Sequence, residues 1–363
     1  MPKKIIIAGG GTGGHVFPAL AIGQALVRLD PDVELLYVGA KGKMEMEKVP
    51  QAGFPIVGLD IAGMNRSAPW KNVTLPWKLV KSLFTAQALL RRFKPDVVVG
   101  VGGYASFPML RAAQRKGIPT LIQEQNSFAG KSNQILAQKA RTICVAFDGL
   151  EKFFPADRIV QTGNPVRHSI ASSVVTRSEG IGFFQLDPAR KTILATGGSL
   201  GAKSINEAMD AGLDRIADAG YQLIWQTGKV YEEQAVKAVA GRKGVWTSAF
   251  ITHMEMAYAA ADVVVSRAGS TIAELCVAAK PVVFVPYPYA AEDHQTVNAM
   301  NLVRHDAGLI IKDSDAGATL IDTLLSLAGD PALQQRLKTH IAELAIPDAD
   351  ERIAREVLKL IKR

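Results

Sequence analysis

Short apolar, β-branched runs alternate with stretches of helical spacing along almost the whole chain. In the first half the runs are KIIIA (4–8), ELLYV (34–38), DVVVG (96–100), PTLI (119–122) and TICVA (142–146). In the second half they are KTILAT (191–196), YQLIWQ (221–226), 245–249, DVVVS (262–266) and PVVFV (281–285). Strand runs separated by helical patterns predict an α/β fold, with parallel sheets covered by helices. The last pattern, 333–362, reads as two helices.

The two halves echo one another. KIIIAGGGTGG (4–14) and KTILATGGSLGA (191–202) each run from a lysine through an apolar strand into a glycine-rich turn and a helix. Two such openings predict two Rossmann-like domains. Between them GNPVRHSIASSVVTRSEG loses its strand pattern and turns polar, which places the boundary within 164–190. The expected domains are 1–164 and 165–344, with about 345–363 the candidate to return and pack on the first.

Length changes little in this picture: 363 residues, 48% hydrophobic and 21% charged, suit two globular domains with sizeable cores. Charge adds more. A net +8 favours an anionic partner: nucleic acid, acidic lipid or a phosphorylated ligand. Two cysteines, Cys144 and Cys276, each in an apolar run, read as buried thiols rather than a disulfide framework. The opening MPKKIIIAGGG is too briefly apolar for a signal peptide, and no run approaches a membrane span. Membrane contact is therefore expected from the surface.

The glycine turns carry the first candidate chemistry. GGGTGGH (9–15) holds five glycines in six residues and leads into the helical run 17–29. Backbone amides at such a turn, with the positive end of a helix, suit phosphate or sugar oxygens. A dinucleotide site would want a carboxylate at the end of the second strand. That strand ends YVGAKGK (37–43), without one, so the dinucleotide reading recedes. In the second turn, TGGSLGAKSIN (196–206), Ser199 can serve a phosphate or cap a helix.

Residues 61–95 contain seven basic side chains and no acidic one: Arg66, Lys71, Lys78, Lys81, Arg91, Arg92 and Lys94. Trp70, Trp77, Phe84 and Phe93 are interleaved, and Leu79, Val80, Leu83, Phe84 and Leu90 recur at helical spacing. This predicts a monotopic contact with an anionic membrane surface, where each basic residue adds about 1 kcal/mol. The alternative is an amphipathic helix packed on the sheet. Without a nucleic-acid motif, no nucleic-acid partner is expected. No His/Cys/Asp cluster has metal-ligand spacing, so no metal is expected either.

Taken together, GGGTGGH (9–15), GVGGYASFP (100–108), EQN (124–126), TGNPVR (162–167), GGSLGA (197–202), SRAGSTIAE (266–274) and DHQTVNA (293–299) stand in the order seen in the MurG family. The chain resembles that family over almost its whole length. The resemblance implies a GT-B fold: two Rossmann-like domains with parallel sheets facing an interdomain cleft. It implies an inverting transferase that moves GlcNAc from UDP-GlcNAc to the MurNAc 4-hydroxyl of lipid I, giving lipid II in peptidoglycan synthesis. It implies no cofactor and no metal. The protein would sit peripherally on the cytoplasmic face of the inner membrane, with cell-wall synthesis proteins as candidate protein partners. One departure stands out: the family often has a histidine before EQN, where this chain has Gln123.

Residue roles follow from the same resemblance. The first domain takes the acceptor, undecaprenyl-pyrophosphoryl-MurNAc-peptide, at Thr12, Gly13, Gly14, His15 and Asn126. The second takes the donor, with Ser199 at its phosphates and Ser270 and Thr271 opening the helix that carries Glu274. Glu274 would accept the ribose hydroxyls; Thr271 and Glu274 also have capping-box spacing. Arg167 would contact the donor diphosphate, a task that suits a permanently charged donor fork. The Ile251 backbone would meet uracil, and Gln295 would both donate to and accept from the GlcNAc ring. His15 is the candidate base because histidine titrates near ~6.5. Its alternative is a fixed donor to phosphate. Glu124 is the rival base, and a buried structural carboxylate is its alternative.

Other functions remain open at this stage. A UDP-GlcNAc 2-epimerase of the same fold would share the donor site without needing the basic aromatic segment. A non-catalytic UDP-sugar-binding membrane protein would bind the donor and leave it intact.

Overall fold

The computed structural model describes residues 2–61 and 75–361. They form two compact units. The first comprises residues up to Arg167 together with those from Asp348 onward, and the second is His168–Pro347.

The first unit is a seven-stranded parallel sheet: β1 (Lys4–Ala8), β2 (Glu34–Ala40), β3 (Ile56–Leu59), β4 (Val97–Gly100), β5 (Thr120–Glu124), β6 (Thr142–Val145) and β7 (Ile159–Gln161). Their order is β3-β2-β1-β4-β5-β6-β7, with Ile5 paired to Leu35 on one side and Val97 on the other. Alternate residues feed two cores. Ile5, Ile7, Val97 and Val99 pack toward the helix Gly13–Leu29. Ile6, Ala8, Val98 and Ile122 pack toward Met109, Leu110 and Leu136 on the opposite face. Burial on both faces explains why these strands read as continuous apolar runs.

The C-terminal helix Ala349–Lys359 belongs to this first unit. Ile353, Ala354 and Val357, all fully buried, join the core with Ile22 and Leu26. Arg28 and the buried Asp350 lock the two helices at 2.7 Å.

The second unit is a six-stranded parallel sheet: β8 (Thr192–Thr196), β9 (Gln222–Gln226), β10 (Val245–Ser248), β11 (Val263–Ser266), β12 (Val282–Phe284) and β13 (Leu309–Ile310). The order is β10-β9-β8-β11-β12-β13. Ile193, Ala195, Leu223, Trp225, Val263 and Val265 pack with Ile205, Met209 and Leu213 of the helix Lys203–Asp218. Trp225 is fully buried and its indole N–H donates to Asn206 Oδ1 at 3.0 Å.

Each of the ten expected strands overlaps an observed one. The three unexpected strands, β3, β7 and β13, are edge strands of two to four residues. So short a run carries little periodic signal, and its pairing partner decides its conformation. Cys144 and Cys276 are buried and free, and burial pushes both thiols up to about 12. They are inert packing residues.

Strand order reverses between β1 and β4 in the first unit and between β8 and β11 in the second. At such a point the loops leaving the carboxyl ends of adjacent strands part in opposite directions, opening a crevice for a ligand. Both glycine turns lie there.

Candidate functional site

In the first unit the loops after β1, β4 and β5 meet at the reversal. The helix Gly13–Leu29 begins within the glycine turn, with Thr12 at its N-cap position and no side-chain cap bond. The first-turn amides of a helix have no partner inside it, so Gly13 and Gly14 offer N–H groups at its positive end. His15 Nδ1 lies 3.2 Å from Thr12 Oγ1. The loop after β4 walls the other edge of the imidazole: a Cβ on Gly102 would lie 2.7 Å from Cδ2 and 2.8 Å from Nε2. Thr12, Gly13, Gly14 and His15 are thus held together.

Glu124 ends β5 and is 3% exposed. Its carboxylate accepts the amides of Asn126 at 3.2 Å and Gly130 at 3.3 Å, and the side chains of Asn126 at 3.3 Å and Asn133 at 2.8 Å. Burial pushes its pKa up, and these donors pull it back. A carboxylate with four donors is the organiser of the 126–130 loop. Both readings of Glu124, rival base and buried structural carboxylate, meet this same geometry. Beside it, Gln123 donates to Asn164 Oδ1 at 3.0 Å and accepts from Gln125, which also donates to the Val101 carbonyl at 2.7 Å. Gln123 therefore sits in a buried amide network.

A correction concerns the end of β2, where no carboxylate is expected. Glu45 folds back there with 2% exposure, accepting the Ala40 amide through Oε1 and the Gly11 amide through Oε2, each at 2.9 Å. In the sequence it lies within KMEMEK, just beyond the segment YVGAKGK. The dinucleotide reading does not return, because both oxygens already hold backbone amides.

Arg167 is the last residue before the second unit, and its guanidinium stacks over Phe17 of the first-unit helix at 5.1 Å. It is therefore part of the first unit, whereas the other residues expected to bind the donor belong to the second.

In the second unit the loops after β8, β10, β11 and β12 converge. Ser199 does not cap a helix, since the helix starts at Lys203 with Ala202 at the N-cap position. Gln226 stitches the loops: it donates to the Gly198 carbonyl at 2.9 Å and accepts the Ile251 amide at 2.9 Å. The N–H of Ile251 is thus committed internally. Ser270 precedes the helix Thr271–Val277, and the capping box proposed for Thr271 and Glu274 does not form. Glu274 instead accepts the hydroxyl of buried Tyr258 at 3.0 Å. Gln295 Oε1 accepts the Tyr287 amide at 2.9 Å. Just before it, Glu292 and Asp293 both adopt left-handed backbone, φ +53° and +52°. Each such position costs on the order of 1 kcal/mol and marks a conformation imposed by its surroundings.

Arg267, within the SRAGS motif, ties this side together. It donates to the carbonyls of Val285 at 2.9 Å and Pro286 at 3.0 Å, pairs with Asp313 at 2.5 Å, and lies over Tyr287 at 5.5 Å. Glu45, Tyr258, Gln226 and Arg267 were not singled out by sequence reasoning. Only Arg267 lay in a quoted motif.

The helix Leu75–Phe93 carries the expected basic, aromatic segment. Ser82, Ala86 and Leu90 form its buried stripe. Trp77 (75% exposed), Val80 and Phe84 (68% exposed) line another stripe that is left outside the core. Lys78 and Lys81 reach Asp60, while half-buried Phe93 packs against the core beneath Lys4. Phe93 thus leaves the proposed surface. Arg66, Trp70 and Lys71 lie outside the described residues. Among the described residues no helix is long and apolar enough to cross a membrane. None of their His, Cys, Asp or Glu side chains cluster in groups able to hold a metal ion.

Comparison with known proteins places this geometry. Residues 5–145 match the glycosyltransferase family 28 N-terminal domain, and 192–353 match the family 28 C-terminal domain. The chain is 51% identical over 362 residues to the UDP-N-acetylglucosamine–N-acetylmuramyl-(pentapeptide) pyrophosphoryl-undecaprenol N-acetylglucosamine transferase of Bacteroides thetaiotaomicron. That match covers 98% of this chain and 97% of the relative. The crystal structure of Acinetobacter baumannii MurG superposes with a TM-score of 0.76 at 30% identity, covering 99% and 100% of the two chains. A UDP-GlcNAc 2-epimerase from Neisseria meningitidis shares the fold alone, at a TM-score of 0.71 and 13% identity over 98% and 100% of the chains. This chain, with two Rossmann-like units in the GT-B fold, belongs to the MurG family of glycosyltransferases.

Proposed function

We propose that this chain performs the reaction for which its relatives are named, moving GlcNAc from UDP-GlcNAc to the MurNAc 4-hydroxyl of lipid I to give lipid II. One observation carries the reading: the chain has two separate glycine loops, each at a strand-order reversal. Donor and acceptor are both diphosphates, so the reaction needs two such cradles, whereas an epimerase acts on one substrate.

The second unit takes the donor. Glu274, steadied by Tyr258, accepts ribose hydroxyls, and the Ile251 carbonyl meets the uracil. Ser199, Ser270 and Thr271 serve the diphosphate, and Gln295 donates to the GlcNAc ring. The first unit takes the acceptor, with its diphosphate on the amides of Gly13 and Gly14 and Thr12 and Asn126 beside them. The acceptor O4 attacks the anomeric carbon and forms the new C–O bond as the bond to UDP breaks on the opposite face. The configuration therefore inverts to β. The transition state has oxocarbenium character, and alignment of the two substrates supplies much of the acceleration. His15 receives the O4 proton, and Arg167 balances the charge that develops on departing UDP.

The exposed Trp77/Val80/Phe84 stripe, flanked by Lys81, Arg91 and Arg92, supports peripheral binding at the cytoplasmic face of the inner membrane. The lipid-anchored acceptor is presented there. Replacing Trp77 and Phe84 by serine should sharply reduce co-flotation with anionic vesicles. Unchanged flotation would remove this helix from the membrane contact.

Incubation with labelled UDP-GlcNAc and lipid I in detergent tests the reaction. The expected products are labelled lipid II and UDP. ManNAc formed without an acceptor would replace the transferase by an epimerase, and intact donor in the presence of lipid I would leave a binding protein.

A further inference from the structure

Beneath the first-unit glycine loop lies a carboxylate with no place in the reaction as described. Glu45 begins the helix Glu45–Gln51, five residues beyond the end of β2. Its two oxygens hold the Ala40 and Gly11 amides. The loop is gripped from both sides. A Cβ at Gly10 would fall 2.3 Å from the Glu45 carboxyl carbon, and one at Gly103 would fall 2.0 Å from the Gly10 carbonyl oxygen. Gly10 itself adopts φ +137°, a conformation that suits glycine. The Gly10–Gly11 segment is thereby clamped between the end of β2 and the loop after β4.

The second unit braces its loop with the opposite polarity. Gln226, the last residue of β9, is neutral and donates to the Gly198 carbonyl and to Thr196 Oγ1 at 3.1 Å. That loop is held by a carbonyl, and no carboxylate takes its amides in this contact. In the first unit the Gly11 amide already serves an anion. An amide turned toward a buried carboxylate has its one hydrogen committed and cannot also serve a phosphate. The anion-binding duty therefore passes to the first turn of the helix Gly13–Leu29, where amides lack partners within the helix.

We propose that Glu45 is a positioning residue for the acceptor. By holding the Gly11 amide inward it sets the turn into the helix and directs the acceptor diphosphate to the amides of Gly13 and Gly14. The inference rests on the reading that the first unit holds the acceptor.

Steady-state kinetics of the full chain with lipid I and UDP-GlcNAc test it. In Glu45→Gln the new side-chain NH2 confronts a backbone N–H that the carboxylate had accepted. The lipid I KM should rise about ten-fold, with the UDP-GlcNAc KM within about two-fold of the parent. Glu45→Asp keeps the charge but is one methylene too short to hold both amides, and it should shift the same KM in the same direction. A lipid I KM that stays put in a folded variant, or two KM values that rise together, would overturn the role of Glu45 while leaving the acceptor assignment intact. A rise confined to UDP-GlcNAc would overturn the acceptor assignment itself. If Glu45→Gln does not fold, Glu45→Asp decides by the same comparison. If neither folds, Glu45 is purely structural and the proposal fails.

Discussion

The two units begin alike. Each runs an apolar strand into a glycine turn and a helix, and each reverses strand order beside that turn. They differ in the side chain that steadies the turn. In the first unit the anionic Glu45 accepts a loop amide, and in the second the neutral Gln226 donates to a loop carbonyl. One fold thus yields two glycine turns braced with opposite polarity, because a single side chain decides which loop atoms are held. The two prominent carboxylates contrast in the same way. Glu124 is buried under four donors, whereas Glu274 is half-buried with a tyrosine hydroxyl on one oxygen. Burial separates the two, although both are glutamates in quoted motifs.

The contrast predicts that variants on the two sides act on different kinetic constants. The largest effect is expected at His15. His15→Ala should lower kcat by about 10²–10⁴ if the imidazole is the base, with little change in either KM. A rise in lipid I KM at near-normal kcat would make it a phosphate donor instead. Next comes the second-unit brace. Gln226→Glu would place a negative charge beneath the donor loop. A like charge near the donor diphosphate repels it, and the loop loses the donor that held the Gly198 carbonyl, so the UDP-GlcNAc KM should rise about ten-fold. The lipid I KM should hold; if it moved equally, the two loops would not be independent cradles. The smallest effect is expected at Tyr258. Tyr258→Phe removes one hydrogen bond worth about 1 kcal/mol, which should weaken UDP binding about five-fold by calorimetry. Unchanged UDP affinity would separate Glu274 from the ribose.

Much of this is legible in the sequence. Strands buried on both faces, such as Ile5–Ile7 and Val97–Val99, leave an unbroken apolar signature. Glycine turns announce themselves because few other residues tolerate such backbone, and seven motifs in order identified the family. Edge strands such as β13 were not legible, since two residues carry no period and take their conformation from a neighbour. The capping box at Thr271 and Glu274 had the right spacing and did not form. Its carboxylate is held by Tyr258, sixteen residues upstream, a contact no local pattern encodes.

By itself, then, the sequence determined the class of fold, the two glycine turns, the candidate ligands beside them and the family. Those features are local in the chain or repeat with the period of a secondary-structure element. Tertiary structure alone decided that Glu45 lies under a loop 34 residues earlier, that Gln226 links the β8 and β10 loops, and that the C-terminal helix rests on the first unit. These are contacts between distant segments, selected by how whole elements pack, and a side chain's neighbours in space are not written in its neighbours along the chain.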